Sequence, residues 1–321
     1  MIKISIIVPV YNVAPYISRC LNSVAHQTYA GPIECVLVDD CGRDNSVQII
    51  DEFVANYSGD VEFQLVHHEH NRGLSAARNT GLSAATGDYI FFLDSDDELL
   101  LNAIDILIEQ VNQHPDIEMV QGFTQSIPMV NYYDTHCFEP YQYISDNLWI
   151  RNNYYCLGKT IPVNGVNKLL KRDFLINNQL YFKEGLIHED EHWMFFLVKQ
   201  LQTMAFVFEP TYIRYFNEGS IMQTMNEQKE GYYWGMVLHD WIKRLDEISC
   251  FRQLQKILSL YSKHLVYKYY HQNDAEFFKS IVKALTEGHK WKSLMWLLLW
   301  RSLLPIKSVK KMLRFATESL S

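Results

Sequence analysis

The residues best suited to chemistry are Asp94-Ser95-Asp96-Asp97, which follow the uncharged run Tyr89-Ile90-Phe91-Phe92-Leu93. Such a run reads as a strand buried on both faces, and open α/β sheets take their ligands at the carboxyl ends of the strands. Three carboxylates packed this closely repel one another, and burying them unpaired is costly. A divalent cation resolves the conflict. Oxygen ligands on a short element suit Mg²⁺ or Mn²⁺, with the other coordination positions left to water and phosphate. The same residues fit a solvated turn with a helix cap, because Asp97-Glu98 precede the helical pattern Leu100, Ala103, Ile104, Leu107, Ile108 and Val111. A second cluster, His188-Glu189-Asp190-Glu191-His192, matches the H-E-x-x-H spacing of zinc metalloproteases. No obvious third ligand follows it, and among twelve histidines a chance match outweighs zinc chemistry. An acidic helix start favoured by the macrodipole accounts for it as well.

These groups need elements to position them. Lys3 to Val10 is a continuous apolar strand ending in Tyr11-Asn12, followed by a helix with the apolar face Ile17, Cys20, Leu21, Val24 and Ala25. Cys35 to Val38 is a second buried strand ending in Asp39-Asp40, and Val47, Ile50, Phe53, Val54 and Tyr57 form the next helical face. Phe63 to Val66 is the third strand. Asn71-Arg72-Gly73 then leads into a helix from about Leu74, and the Tyr89 run is the fourth strand. The order β-α-β-α-β-α-β predicts a parallel, doubly wound half-domain. Neither G-x-G-x-x-G nor a P-loop occurs, so dinucleotide and P-loop readings lose their main support. At the strand ends Tyr11 can stack on a nucleobase and an ionised Asp39 can accept the N3–H of uracil. Arg78, on the third helix, could face a diphosphate.

SIIVPVYN (Ser5 to Asn12), LVDDCGRDNS (Leu37 to Ser46), NRGLSAARNTGLSAATGDYIFFLDSDD (Asn71 to Asp97) and GLIHEDEHW (Gly185 to Trp193) together resemble the bacterial family-2 glycosyltransferases of the GT-A fold, over roughly residues 1–220. The resemblance implies a GT-A type α/β fold: a Rossmann-like, mostly parallel sheet flanked by helices, with a C-terminal helical extension. It also implies inverting, usually metal-dependent (Mn²⁺ or Mg²⁺) transfer from a nucleotide-diphosphate sugar, most often a UDP-sugar. By position, Pro9, Tyr11, Asp39 and Asp40 would line the nucleotide pocket, and Arg72 and Arg78 would lie near the diphosphate or brace the loop. Asp94 and Asp96 would form the D-x-D pair, with Ser95 between them at the donor and Asp96 the direct metal ligand. Asp190, in the E-D-x-x-[FW] segment, would be the general base. Lys168, in Asn167 to Arg172, would sit near the sugar or diphosphate. Arg214, with Asn217, Gly219 and Ser220, resembles a closing loop in which the arginine contacts phosphate. One departure is visible: the usual Asp-Asp-Gly-Ser turn is here Asp39-Asp40-Cys41-Gly42, with the glycine displaced by one residue.

Residues 1–225 are expected to form the transferase domain, with a nucleotide half at about 1–112 and an acceptor half at about 113–225; residues 226–321 read as a helical C-terminal region. The segment Gly122 to Tyr155 carries Tyr132, Tyr133, His136, Phe138, Tyr141, Tyr143, Trp149, Tyr154 and Tyr155. These suit a sugar face and equally a half-buried surface. The net charge is −8, but from Ile281 onward eight Lys and Arg oppose two Glu, a net of +6. Trp291 to Pro305 is rich in Trp and Leu between bases, so 290–314 is expected to lie at an anionic membrane surface, or else to pack on its own domain or a second subunit. No apolar run is long enough to span a bilayer. Six cysteines without C-x-x-C and an opening strand in place of a signal peptide point to the cytoplasm, peripheral on the inner face of the membrane. Expected partners are the nucleotide-sugar donor, a glycan or lipid-linked saccharide acceptor of bacterial surface polysaccharide assembly, and a second copy as a homodimer; no nucleic acid is expected. A nucleotidyltransferase is disfavoured because Tyr11-Asn12-Val13-Ala14-Pro15 offers no basic triphosphate pocket. A non-catalytic sugar-nucleotide or carbohydrate-binding protein is disfavoured by the presence of Asp94, Asp96 and Asp190 together.

Overall fold

Four strands pair in parallel along one stretch of the sheet in the computed structural model: β1 (Ile4–Val10), β2 (Ile33–Asp39), β3 (Glu62–His67) and β4 (Tyr89–Phe92). The structure describes residues 1–128, 143–155, 161–217, 227–246 and 248–261, with 282–283, 285–287 and 295. Every residue of β1, β2 and β4 is buried, the expected pattern for strands covered on both faces. The intervening helices are α1 (Ile17–Ala25), α2 (Ser46–Asn56) and α3 (Leu74–Ala84). β1 pairs in parallel with β2 on one side and β4 on the other, and β2 pairs in parallel with β3. The strand order therefore reverses at β1, which opens a crevice between the carboxyl ends of β1 and β4.

Pro9 lies inside β1, where a missing N–H would ordinarily break a ladder. Leu93 N–H reaches Ile7 O at 3.0 Å as the last bond from the β4 side, while Asp40 N–H bonds Val10 O on the β2 side. Residues alternate sides along a strand, so the Pro9 nitrogen faces the gap where β4 has already left. The proline sits where no donor is needed.

The sheet continues through β8 (Lys168–Lys171), β6 (Met119–Ile127), β9 (Met204–Tyr215) and β5 (Glu98–Leu99), giving the order β3-β2-β1-β4-β8-β6-β9-β5, with β7 (Tyr143–Ile144) on β9. β8 runs antiparallel to β4 and to β6. The expected nucleotide and acceptor halves thus share a single sheet. The helix cap read at Asp97-Glu98 is corrected: Glu98 and Leu99 pair antiparallel with Ile213 and Tyr212, and α4 (Ala103–Gln113) starts after Asn102. A partner strand more than a hundred residues away takes the two residues that local sequence would have given to the helix.

By contacts the chain divides into two units. One comprises Met1–Asp146, Asn164–Gly185 and Glu189–Ser220, and the other Asn147–Val163, Leu186–His188 and Ile221–Ser321. Within the second lie α5 (Asn147–Tyr155), which was not expected, and in the region read as helical the helices Glu227–Ile242 and Cys250–Tyr261, with Trp241, Ile242, Leu254, Ile257 and Leu258 buried. Asp246 receives the Ser249 N–H at 2.8 Å and pairs with Arg151 at 3.1 Å, fixing the turn between the two later helices. Tyr132, Tyr133, His136, Phe138 and Tyr141, Gly219 and Ser220, and the basic tail at 290–314 apart from Met295 lie outside the described residues. No helix among the described residues is long and apolar enough to cross a membrane.

The displaced glycine has a structural counterpart. Cys41 adopts φ +59°, the left-handed region that favours glycine, whereas a Cβ on Gly42 would lie 3.2 Å from the Asn12 backbone nitrogen. The two positions make different demands, conformation at 41 and space at 42. Cys41→Gly is expected to raise the unfolding free energy, and with it the urea midpoint, by a net of about 0.5 kcal/mol, since relief of about 1–2 kcal/mol is partly offset by unfolded-state entropy. Gly42→Ala is expected to lower it. The same sign for both would refute the division.

Candidate functional site

Asp94 leaves β4 into a tight turn closed by the Asp97 N–H on Asp94 O at 3.1 Å. The turn is held from several sides. Arg19 on α1 donates to Asp96 O at 2.6 Å and pairs with Glu98 at 2.8 Å, with its guanidinium 3.5 Å from the centre of the Tyr215 ring. Asp97 is buried and accepts from the Tyr212 hydroxyl at 2.7 Å and the Tyr215 N–H at 2.9 Å. Burial, with Asp94 and Asp96 close by, pushes the Asp97 carboxyl up to about 8. Asp97 is thus the scaffold acid of the cluster. Ser95 is buried within the turn.

Asp96 accepts from the Asn217 side-chain amide at 2.8 Å, and burial together with Asp94 raises its pKa. Asp94 accepts on Oδ1 from Arg78 Nη2 at 2.9 Å. The other guanidinium nitrogen of Arg78, Nη1, donates to Asp190 Oδ1 at 2.8 Å and to Glu189 Oε1 at 3.1 Å. Arg78 is 1% exposed. Burial opposes its charge, but Asp190, Asp94 and Glu189 outweigh burial and hold it above its usual value. Planar, forked geometry suits arginine to this task, because two fixed nitrogens reach separate partners where lysine offers a single point charge. The α3 arginine therefore meets three carboxylates from two distant segments, under the strand ends rather than open to a ligand.

Asp190 stands in the first turn of α7 (Glu189–Gln200). That helix is seated by Trp193, whose indole N–H bonds Leu180 O at 2.9 Å and whose ring stacks on Phe182 at 4.5 Å. Phe182 and Trp193 both meet Phe92 of β4 edge-on, at 5.3 and 6.2 Å. The aromatic packing brings α7 against the strand that carries Asp94. A Cβ on Gly165 would come within 2.8 Å of Asp190 Oδ1, so that glycine leaves room for the carboxylate. Glu189 is deeper, and burial and the Asp190 charge push it up to about 7. Among the described residues no protein donor reaches Asp190 Oδ2 or Asp94 Oδ2. Each of these two carboxylates is anchored through one oxygen.

His188 lies at φ +68°, before α7 begins at Glu189, and its ring stacks on Trp234 at 4.5 Å. The H-E-x-x-H match is therefore not two histidines one helical turn apart. Among the described residues no group of three or more His, Cys, Asp or Glu side chains is arranged to hold a metal. Asp94 and Asp96 offer two carboxylates, which suits a Mg²⁺-like ion completed by phosphate and water.

At the nucleotide end, Tyr11 is 46% exposed just past β1, free to stack. Asp39 ends β2 and accepts from the Gly42 N–H at 3.2 Å and from His67 Nδ1 at 3.1 Å. Asp40 is committed differently. Its carboxylate takes the Arg72 and Gly73 N–H groups and His68 Nδ1, all at 2.7 Å, and so pins the loop into α3. Arg72 itself is half-exposed and paired with Glu184 at 3.1 Å. Lys168 is fully buried, its ammonium bonded to Asn164, and burial brings it down to about 7 against the pull of Asp190. Arg214 lies on β9 with its guanidinium 5.4 Å from the centre of the Phe216 ring, and its charge favours ionised Asp96. Tyr212, Gly165 and His67 carry no signal in the sequence, since each acts only through a tertiary neighbour.

The sequence model of the family described as "Glycosyl transferase family 2" matches residues 5–177. A curated relative, glycosyltransferase GlyG of Streptococcus pneumoniae, is 31% identical over 228 residues, covering 69% of this chain and 73% of its own. Among solved structures, S. aureus TarS 1-349 in complex with UDP-GlcNAc superposes with a TM-score of 0.65 at 21% identity, covering 89% of this chain and 80% of its own. Mannosyltransferase PcManGT from Pyrobaculum calidifontis, in complex with GDP-Man and Mn2+, gives 0.51 at 18% identity over 96% and 82%. At these identities the two structures share the fold.

Proposed function

The chain belongs to glycosyl transferase family 2 and is a glycosyltransferase of the GT-A fold, and we propose that it is an inverting, metal-dependent enzyme that moves a sugar from a UDP-sugar to a hydroxyl. The acceptor in this reading is a glycan or lipid-linked saccharide of bacterial surface polysaccharide assembly, and residues 1–225 carry the activity. The observation that carries the reading is the bridge from Asp94 to Asp190: one buried guanidinium anchors Oδ1 of each and leaves each Oδ2 open.

Asp190 Oδ2 takes the proton of the acceptor hydroxyl as that oxygen attacks the anomeric carbon from the face opposite the leaving group. The carbon–oxygen bond to the donor phosphate breaks with its electron pair, which departs on the nucleoside diphosphate; the anomeric centre inverts through an oxocarbenium-like state. No covalent enzyme intermediate is needed. Asp96 and Asp94 would hold Mn²⁺ or Mg²⁺, which supplies charge stabilisation to the departing diphosphate. Tyr11 stacks on the base and Asp39, held by Gly42 and His67, accepts its imide N–H. Arg214, beside Asp96, is the nearest cation on β9 for the phosphates in this reading.

Calorimetry with a panel of UDP- and GDP-sugars, in Mn²⁺ and again in EDTA, tests this. Binding of a UDP-sugar in Mn²⁺ that disappears in EDTA is expected. Equal binding in EDTA would remove the metal, preference for a GDP-sugar would remove the uracil reading, and no binding at all would remove the donor site.

A further inference from the structure

We propose that Arg78 is the positioning residue that ties the acceptor-side base to the donor-side acid, setting the distance between Asp190 and Asp94 with one rigid group; this rests on the transferase reading above. The guanidinium is a flat fork whose two terminal nitrogens cannot move independently. Nη1 holds Asp190 Oδ1 at 2.8 Å and Nη2 holds Asp94 Oδ1 at 2.9 Å. Any rotation of the fork that serves one carboxylate disturbs the other.

The fork is itself fixed. Phe182 lies under it, with 5.1 Å from the guanidinium carbon to the ring centre. The adjacent Asn79 exchanges two 2.8 Å bonds with the Phe182 backbone, fastening α3 to the segment before α7. Gly165 lies against the same Asp190 oxygen that Arg78 holds, a Cβ there coming within 2.8 Å of it. Arg78 and Gly165 together confine that oxygen, a clamp on the base. Glu189 adds a third acid at 3.1 Å, so acids outnumber the one cation and the cluster keeps a net negative charge. A purely structural ion pair would have no reason to select the two acids that face the reacting centre.

The consequence is that the base and the metal side of the site are placed together. Misplacement of a reacting group by about 1 Å can cost about 10²-fold in rate. Arg78→Lys keeps the charge but replaces the two-nitrogen fork by a single Nζ, which cannot hold both acids in the wild-type geometry. It is expected to lower kcat by about 10²-fold while the donor KM moves less than about threefold. In the Asp190→Asn background the same substitution is expected to cost clearly less, because the base that Arg78 positions is already gone and only Asp94 remains for it to place. Equal losses in both backgrounds, or unchanged kcat, would overturn the proposal. Gly165→Ala places a Cβ 2.8 Å from Asp190 Oδ1 and 3.1 Å from the Phe182 ring that lies under the fork, so it presses on the base and its support while leaving the Arg78 side chain itself unaltered, and serves if Arg78→Lys fails to fold. It is expected to show the same loss of kcat with donor KM retained, and wild-type kcat would overturn the clamp. A crystal structure of Arg78→Lys, or of Gly165→Ala, needs no turnover. A displaced Asp190 carboxylate is expected, and one left in place overturns the proposal even if no sugar donor is ever accepted. Absence of transfer by the wild-type enzyme, in contrast, strikes only the transferase reading.

Discussion

Asp190→Asn is expected to bind the UDP-sugar donor as the wild-type chain does and to lose about 10²–10⁴-fold in transfer rate. The amide has the shape of the carboxylate and can keep the Arg78 Nη1 bond on its oxygen, so the clamp persists while the proton acceptor is lost. Folding should survive because Arg78 retains Asp94 and Glu189 as partners. Glu189 cannot take over: it is more deeply buried than Asp190, at 13% against 27% side-chain exposure. Each tenfold loss corresponds to about 1.4 kcal/mol of transition-state stabilisation. Initial rates at saturating donor, set beside calorimetric donor affinity, separate the outcomes. Wild-type turnover, or weakened donor binding with turnover intact, would assign the base elsewhere.

β1, β2 and β4 were legible because each holds a continuous apolar run, and all three fall within two residues of the sequence reading. That signal is local. The Asp94 turn was legible for the same reason, since carboxylates crowded at the end of such a run are unusual enough to notice. What could not be read is what those side chains touch. Arg78 pairs with residues 16, 111 and 112 positions away, and no periodicity reports such a meeting. Asp40 looked like Asp39 in the sequence, yet its oxygens close the α3 loop while Asp39 stays at the strand end. The failed helix cap at Asp97-Glu98 has the same origin, a strand partner from β9. Pro9 shows the converse. It is an anomaly in sequence that becomes intelligible only once the ladder on the β4 side is seen to stop at Ile7.

Asp96→Asn carries the largest consequence for the donor side. Asp96 is part-buried next to Asp94, and both effects raise its pKa, so the metal-free fold disfavours its charge. The sign follows directly. Replacing the charge by an amide, which can still pair with the Asn217 side chain, should raise the melting temperature in EDTA. A cation reverses the balance in the wild-type chain by giving Asp94 and Asp96 a shared partner, so Mn²⁺ should raise its melting temperature through binding linkage. In Asp96→Asn that increment should vanish. Donor affinity in Mn²⁺ should fall to its EDTA level, and transfer should drop by about 10²–10³-fold, the scale of losing one preorganised electrostatic partner of the leaving group. Asp94 is less suited to the same test because it also completes the Arg78 bridge, so its loss would disturb base and metal together. The two thermal results are independent of any acceptor. A variant that gains stability in EDTA yet still responds to Mn²⁺ would show that charge relief and metal binding belong to different residues, and would move the metal ligand away from Asp96.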